Sequence, residues 1–344
     1  MTASIMNNIK KYYFDKINTV SPFNAEYIKN KYGFYNTFVT MNNIELPSEL
    51  NSIWKLLLSG SINSKNINNM VDSLLLYDLG HSDSSQFNKI HLIYSLLISL
   101  YIKNNNKKNI IIPYNLSIPI LYIHKKSNIA PILTYSDLIL NNTKIYSVDD
   151  KKNIEIEYHL TNSDIEKKYY ATFLKIELSA GKILNTIFDI LNKVSEGKEI
   201  NDLLKYISDI INNFTQLLSD FSGEEKLELS NIFFFQKKYN MIQFFGEKYI
   251  CDNLENPYNF YEITIAQSPL IQTLNIFLNI NSTYIKKNIL YCSGTHQEFL
   301  SEFESYISNN NITIYMNKYF KEDYDECKKN FNSMLNAYLS ILSI

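Results

Sequence analysis

Few side chains in this 344-residue chain can bind a metal or carry a proton near neutral pH: five histidines and three cysteines. Cys251, Cys292 and Cys327 are widely spaced and odd in number. They form neither a disulfide framework nor a CxxC metal site, and a reducing cytosol fits them best. His81 follows a glycine in a polar loop and His124 sits beside two lysines, so both read as surface residues. His91 begins an apolar helix and reads as a core histidine with its hydrogen bonds satisfied, while His159 lies at a hairpin end. His296, in "YCSGTHQEFL" (291–300), opens a helix behind small polar residues. By residue type alone it is either a surface residue at a helix start or a ligand. A single neutral imidazole suits one task in particular, the axial bond to a haem iron in a helical pocket. No GxSxG elbow, P-loop, GxGxxG, HExxH or clustered His/Cys set is present, so protein-only catalysis has no motif to stand on. Acidic pairs such as those of "SGEEKLE" (222–228) read as solvated charge.

The elements that must position His296 are helices. Only 8 glycines and 7 prolines occur, too few turn formers for a fold of many short strands. Apolar residues at 45% and charged residues at 20% describe a globular chain. A net charge of −2 excludes a nucleic-acid surface, and all the basic residues are lysines, since arginine is absent. No site can therefore grip a carboxylate with a guanidinium fork. The run "IHLIYSLLISLYI" (90–102) is too short to span a bilayer, and "MTASIMNNIKKYYFDK" lacks the apolar core of a secretory signal. The expectation is a cytoplasmic, monomeric protein with no membrane or nucleic-acid partner.

Helical spacing predicts helices at 46–60 and 65–78 (closed by Gly80), and 82–108 reads as polar N-cap candidates, a fully buried helix around 90–102 and a polar Asn/Lys loop. Residues 110–142 carry prolines at 113, 119 and 131 and read as an irregular stretch leading to a helix at about 133–141. An isolated β-hairpin is expected at 143–160. From 161 onward the pattern is helical. It has a capping box at Ser163 and Glu166 on a helix of about thirty residues, then helices at 199–221, 229–245, 265–281, 295–308 and 314 to the end. The fold class is all-α: a small, mostly helical domain over 1–160 that contains the hairpin, and a large all-helical domain over 161–344.

Several blocks of this chain, in order, resemble the indoleamine 2,3-dioxygenase family. "IPYNLSIPILYIHKKSNIAPILTYSDLILNN" (112–142) is similar to its proline-bounded strip followed by a Tyr-Ala-Asp stretch. "YYATFLKIELSAGKIL" (169–184) resembles its aromatic-rich helix ending in Glu and small residues. "IAQSPLIQTLNIFLNI" (265–280) is similar to its Gln-Ser helix, and "CSGTHQEFLSEFES" (292–305) to the stretch that holds the proximal histidine. "YDECKKNFNSMLNAYLSIL" (324–342) fits its last long helix. The resemblance implies haem b between the two domains, with His296 as the iron ligand and Tyr170, Phe234, Gln267 and Ile271 against the cofactor. It implies a substrate pocket of Tyr135, Leu138, Ile139, Tyr169, Phe173, Phe233, Lys238, Ile265 and Ala266. The implied partners are O2 and a small aromatic, indole-type molecule. A haem-binding sensor or carrier without turnover is the alternative.

The departures concern the substrate end. Tryptophan-cleaving members place an arginine shortly after the paired phenylalanines, and here "FFFQKKYNMIQFFG" (233–246) offers Lys237, Lys238 or Tyr239. "ITIA" (263–266) replaces a flexible glycine-rich turn, Phe173 stands where a serine is usual, and Asn275 stands for an aspartate. The expected pocket is tighter, more apolar and less suited to free tryptophan, which points to secondary metabolism.

Overall fold

A computed structural model describes residues 34, 46–77, 79, 84–105, 109–148, 151–234, 241–244 and 263–342. His81, Gly80, Cys251 and Lys238 lie outside this set. Among the described residues the fold is all-α apart from two small strand pairs. In order it runs α1 (Ser48–Leu58), α2 (Ile67–Ser73), α3 (Ser84–Asn105), β1 (Asn109–Ile112) and α4 (Tyr114–Ser127). A π-helical turn (Ser136–Leu140) and the strands β2 (Thr143–Val148) and β3 (Lys151–Ile156) follow. The rest is α5 (Asp164–Leu178), α6 (Ala180–Ser195), α7 (Asn201–Ser219), α8 (Gly223–Phe234), β4 (Met241–Phe244), α9 (Pro269–Phe277), α10 (Thr283–Lys287), α11 (Gly294–Asn309), α12 (Ile312–Tyr319) and α13 (Lys321–Leu342). The longest helix contact joins α7 to α13, and α9 packs on α11.

Helices α1, α3, α7 and α11 and the β2–β3 hairpin lie where the spacing of apolar residues puts them. Other expectations need correction. Residues 110–142 are interrupted at Pro113 and around Pro131 but not at Pro119. Pro113 caps α4, and Pro119 sits inside it at a cost of about 3 kcal/mol. Burial of Leu116, Ile120, Leu121 and Ile123 on one face offsets that cost. The helix expected at 133–141 is only the five-residue π-turn. Residues 229–245 are not one helix, because α8 ends at Phe234 and β4 pairs in parallel with β1, Asn109 opposite Met241. This pairing spans distant segments and carries no local signal. The thirty-residue helix divides at Ser179, and the C-terminal one divides at Phe320. Helix α2 closes early, at Ser73, and the 265–281 segment is a 3-10 turn (Ile265–Gln267) followed by α9.

Two buried polar knots fix the loops. Ser163 caps α5 by accepting from the Glu166 N–H (3.1 Å), as the capping box requires. The Glu166 carboxylate turns to the preceding loop instead, accepting from the backbone N–H of Leu160, Thr161 and Asn162 (2.6, 2.7 and 3.0 Å). On α3, His91 is buried, with Nε2 2.8 Å from the Ala130 carbonyl and Nδ1 2.8 Å from Asp137 Oδ1. The carbonyl can only accept, so Nε2 donates to it, and Nδ1 faces the Asp137 carboxyl. Asp137 Oδ2 accepts from the Thr134 N–H and hydroxyl (2.8 and 2.9 Å), which shapes the turn before the π-helix. His91→Gln keeps at most one of these bonds and should lower stability by about 2 kcal/mol, read as a lower urea midpoint at unchanged slope. An unchanged midpoint would show the knot to be dispensable.

Candidate functional site

Helix α11 begins with Ser293, whose hydroxyl accepts from the His296 N–H (3.4 Å), so the small polar residues before His296 form the N-terminal cap. The start of α11 is pressed against the end of α4. A Cβ on Gly294 would lie 2.3 Å from the Ser127 carbonyl oxygen and 3.0 Å from Asn128 Cβ. Asn128 ends α4 in the left-handed conformation, and its amide donates to Gln297 Oε1 (3.1 Å). Gln297 Nε2 in turn donates to the Cys292 carbonyl (2.8 Å). The His296 ring is buried, edge-on to Phe34 at 5.3 Å, and Phe34 is edge-on to Phe299. Burial pulls the imidazole pKa down to about 3, so the ring is neutral near pH 7.

A second cluster gathers around Tyr135. Its backbone N–H donates to Gln267 Oε1 (2.9 Å), and its hydroxyl donates to Glu177 Oε1 (3.0 Å) on α5. Its ring is edge-on to Phe173 at 6.0 Å, with Tyr169 4.5 Å and Tyr338 5.9 Å from the same Phe173 ring. The Cys292 thiol donates to the Gln267 carbonyl (3.2 Å), which ties this cluster to the residue one turn before His296. Of the pocket and cofactor residues expected from sequence, Tyr135, Tyr169, Phe173 and Gln267 are thus in one contact network. Leu138, Ile139, Ile265, Ala266 and Ile271 are buried on the flanking segments. Tyr170 stacks on His159 (5.9 Å, 29°). Phe233 and Phe234 lie in the last turn of α8, with side chains outside the described set, and Lys238 lies beyond it. His124 is half-buried and bonds the Ile129 carbonyl (2.8 Å), so it is not the surface residue its neighbours suggest.

Sequence reasoning passed over Glu177 and Ser268 as site residues. The Glu177 carboxyl is wholly buried, and its Oε1 accepts from both Tyr135 and the Ser268 hydroxyl. Burial raises its pKa to about 7, with the two hydrogen bonds opposing. The signal was available: 169, 173 and 177 are spaced four apart, so Glu177 continues the aromatic face of α5.

A family model described as indoleamine 2,3-dioxygenase matches residues 24–344. The chain belongs to the indoleamine 2,3-dioxygenase family. Similar proteins include indoleamine 2,3-dioxygenase 1 of Rattus norvegicus, 23% identical over 272 residues that cover 73% of this chain and 67% of the rat protein. Indoleamine 2,3-dioxygenase of Saccharomyces cerevisiae is 24% identical over 303 residues, covering 76% of this chain and 65% of the yeast protein. The identities mark a divergent member, and family membership makes it an oxidoreductase of the haem-dependent dioxygenase class.

The donor chemistry fits haem. Among the described residues no group of three or more His, Cys, Asp or Glu side chains could hold a bare metal ion. A metal that brings four equatorial nitrogens with it needs only one axial donor, and a neutral buried imidazole is the donor it takes. Among the described residues no helix is long and apolar enough to cross a membrane.

Proposed function

We propose that this chain is a haem b-dependent oxygenase that uses O2 to oxidise an aromatic, indole-type small molecule, with His296 as the residue that would hold the iron. The observation that carries the reading is the neutral, buried imidazole of His296, set one turn after the Cys292–Gln267 bond to the Tyr135 cluster. When bound, haem supplies the oxygen-activating chemistry, which needs no acid or base triad from the chain. The protein's part is to bind, orient and exclude water. Residues 161–344 would hold the cofactor through His296, Tyr170, Gln267 and Ile271, and residues 1–160 would close over it.

On the distal side Tyr169 and Phe173 stack against the substrate ring. Tyr135, Leu138, Ile139, Ile265 and Ala266 close the wall around it. The phenols of Tyr135 and Tyr169 are held above their ordinary range by burial, so neither supplies a base near neutrality. With no arginine in the chain, a substrate carboxylate has no two-point partner. The preferred substrate is therefore an aromatic amine or indole other than free tryptophan, a chemistry of secondary metabolism, in a cytoplasmic setting and from a monomer.

The test is O2 uptake by purified ferrous haem-loaded protein. Uptake should accelerate when an indole or aromatic amine from a panel is added, with tryptophan weaker than indoles lacking a carboxylate. A Soret band with no substrate-dependent uptake across the panel would instead mark a haem sensor or carrier.

A further inference from the structure

Two oxygens of one buried carboxyl are treated unequally at the heart of the Tyr135 cluster. Glu177 Oε1 receives two donors, the Tyr135 hydroxyl at 3.0 Å and the Ser268 hydroxyl in a shorter contact. Oε2 is equally buried and has no hydrogen-bond partner among the described residues. The two donors come from different segments: Tyr135 from the turn before the π-helix, and Ser268 from the N-terminal cap of α9. Ser268 also accepts from the Ile271 N–H (3.1 Å), so the carboxyl is linked to the helix start itself. Glu177 is thus a clasp joining α5, the π-turn and α9, with one oxygen in use and one spare.

We propose that Glu177 is a positioning residue whose carboxyl sets Tyr135 against Phe173, and that loss of its proton, which strengthens the Tyr135 and Ser268 hydrogen bonds to Oε1, shifts this part of the distal wall. The inference rests on the reading above that Tyr135 and Phe173 face the substrate. Charge on a carboxylate is shared by both oxygens, and Oε2 has no donor to receive its share. As the neutral acid, the group keeps the proton on Oε2 and leaves Oε1 to accept both bonds.

The titratable groups facing Glu177 offer no compensating charge. Tyr135 from the π-turn and Cys292 from the turn before α11 are each pushed above their usual range, first by burial and then by Glu177. Tyr169 on α5 itself and Tyr338 on α13 lie next to Tyr135, with burial keeping their phenols neutral too. The raised pKa of Glu177, about 7, agrees with a proton held into the neutral range.

Two variants separate positioning from packing. Glu177→Gln keeps an oxygen that can accept from Tyr135 and Ser268 but cannot ionise, whereas Glu177→Ala removes the clasp. In the full-length ferrous protein with CO as the probe, the C–O stretching frequency should shift in wild type between about pH 6 and about pH 8. It should stay constant in Glu177→Gln and be displaced at every pH in Glu177→Ala. Indole affinity, read from the Soret shift, should fall roughly tenfold in Glu177→Ala and return in Glu177→Gln. A Glu177→Gln protein that titrates like wild type overturns the proposal.

Should the chain take up no haem, the function above fails while the clasp is still decided in the haem-free protein. An infrared carboxylic-acid band should vanish over the same pH range in wild type and be missing in Glu177→Gln. The urea midpoints of Glu177→Ala and Tyr135→Phe should combine non-additively. A band that persists in Glu177→Gln, or additive midpoints, overturns the clasp independently of the cofactor.

Discussion

Replacing His296 with alanine is expected to abolish haem binding while leaving a folded chain. Substitutions that merely loosen the groups supporting a metal ligand cost about 10–100-fold in affinity, so removing the ligand costs at least as much. The Soret band of protein expressed with haem should disappear in His296→Ala and persist in His124→Ala, whose ring bonds the Ile129 carbonyl of its own loop. The fold should survive because the imidazole meets the Phe34 ring edge-on and the helix start is held by the Ser293 cap to the His296 backbone, which alanine keeps. The vacated space lies beside Phe34 and is the size of an imidazole, so added imidazole should restore part of the band. Helix content by circular dichroism should match wild type. A Soret band unchanged in His296→Ala would remove the ligand assignment, and with it the mechanism.

What could be read from the sequence follows the range of the interactions. The cap at Ser293 and the helix it starts are local, written within four residues, and they lie where the spacing puts them. The hairpin at 143–156 is local in the same sense. The pairing of β1 with β4 joins residues 109–112 to 241–244, and nothing within either four-residue strand announces the other. Pro119 shows the opposite failure, a local signal overridden by burial of the aliphatic face around it. At the site, the histidine and the aromatic helix were legible because their residue types are rare or strongly patterned. Glu177 and Asp137 were not. Each is a single acid in an apolar run, and its meaning comes from partners 42 to 91 residues away along the chain.

Gly294→Ala reverses an ordinary propensity rule, which makes it a sharp probe of how His296 is aimed. In a solvent-exposed helix the change would stabilise by up to about 1 kcal/mol. The backbone at Gly294 is not in a left-handed conformation, so alanine meets no strain of its own. The obstacle is the neighbour, because the new methyl carbon would fall 2.3 Å from the Ser127 carbonyl oxygen. That oxygen is backbone at the end of α4 and cannot rotate away. Relief requires α11 to lift from α4, which stretches the Asn128–Gln297 amide pair and the Gln297 Nε2 bond to the Asn128 carbonyl. Overpacking against backbone costs about 3 kcal/mol, so the expected net change is a loss of about 2 kcal/mol or more. Because His296 lies two residues on, the same lift moves the ligand, and haem affinity should fall together with the urea midpoint. Stability and affinity falling together would identify the α4–α11 contact as the device that fixes the ligand's position. A variant that gains stability, as helix propensity alone predicts, would show that the two helices are not in contact at this glycine.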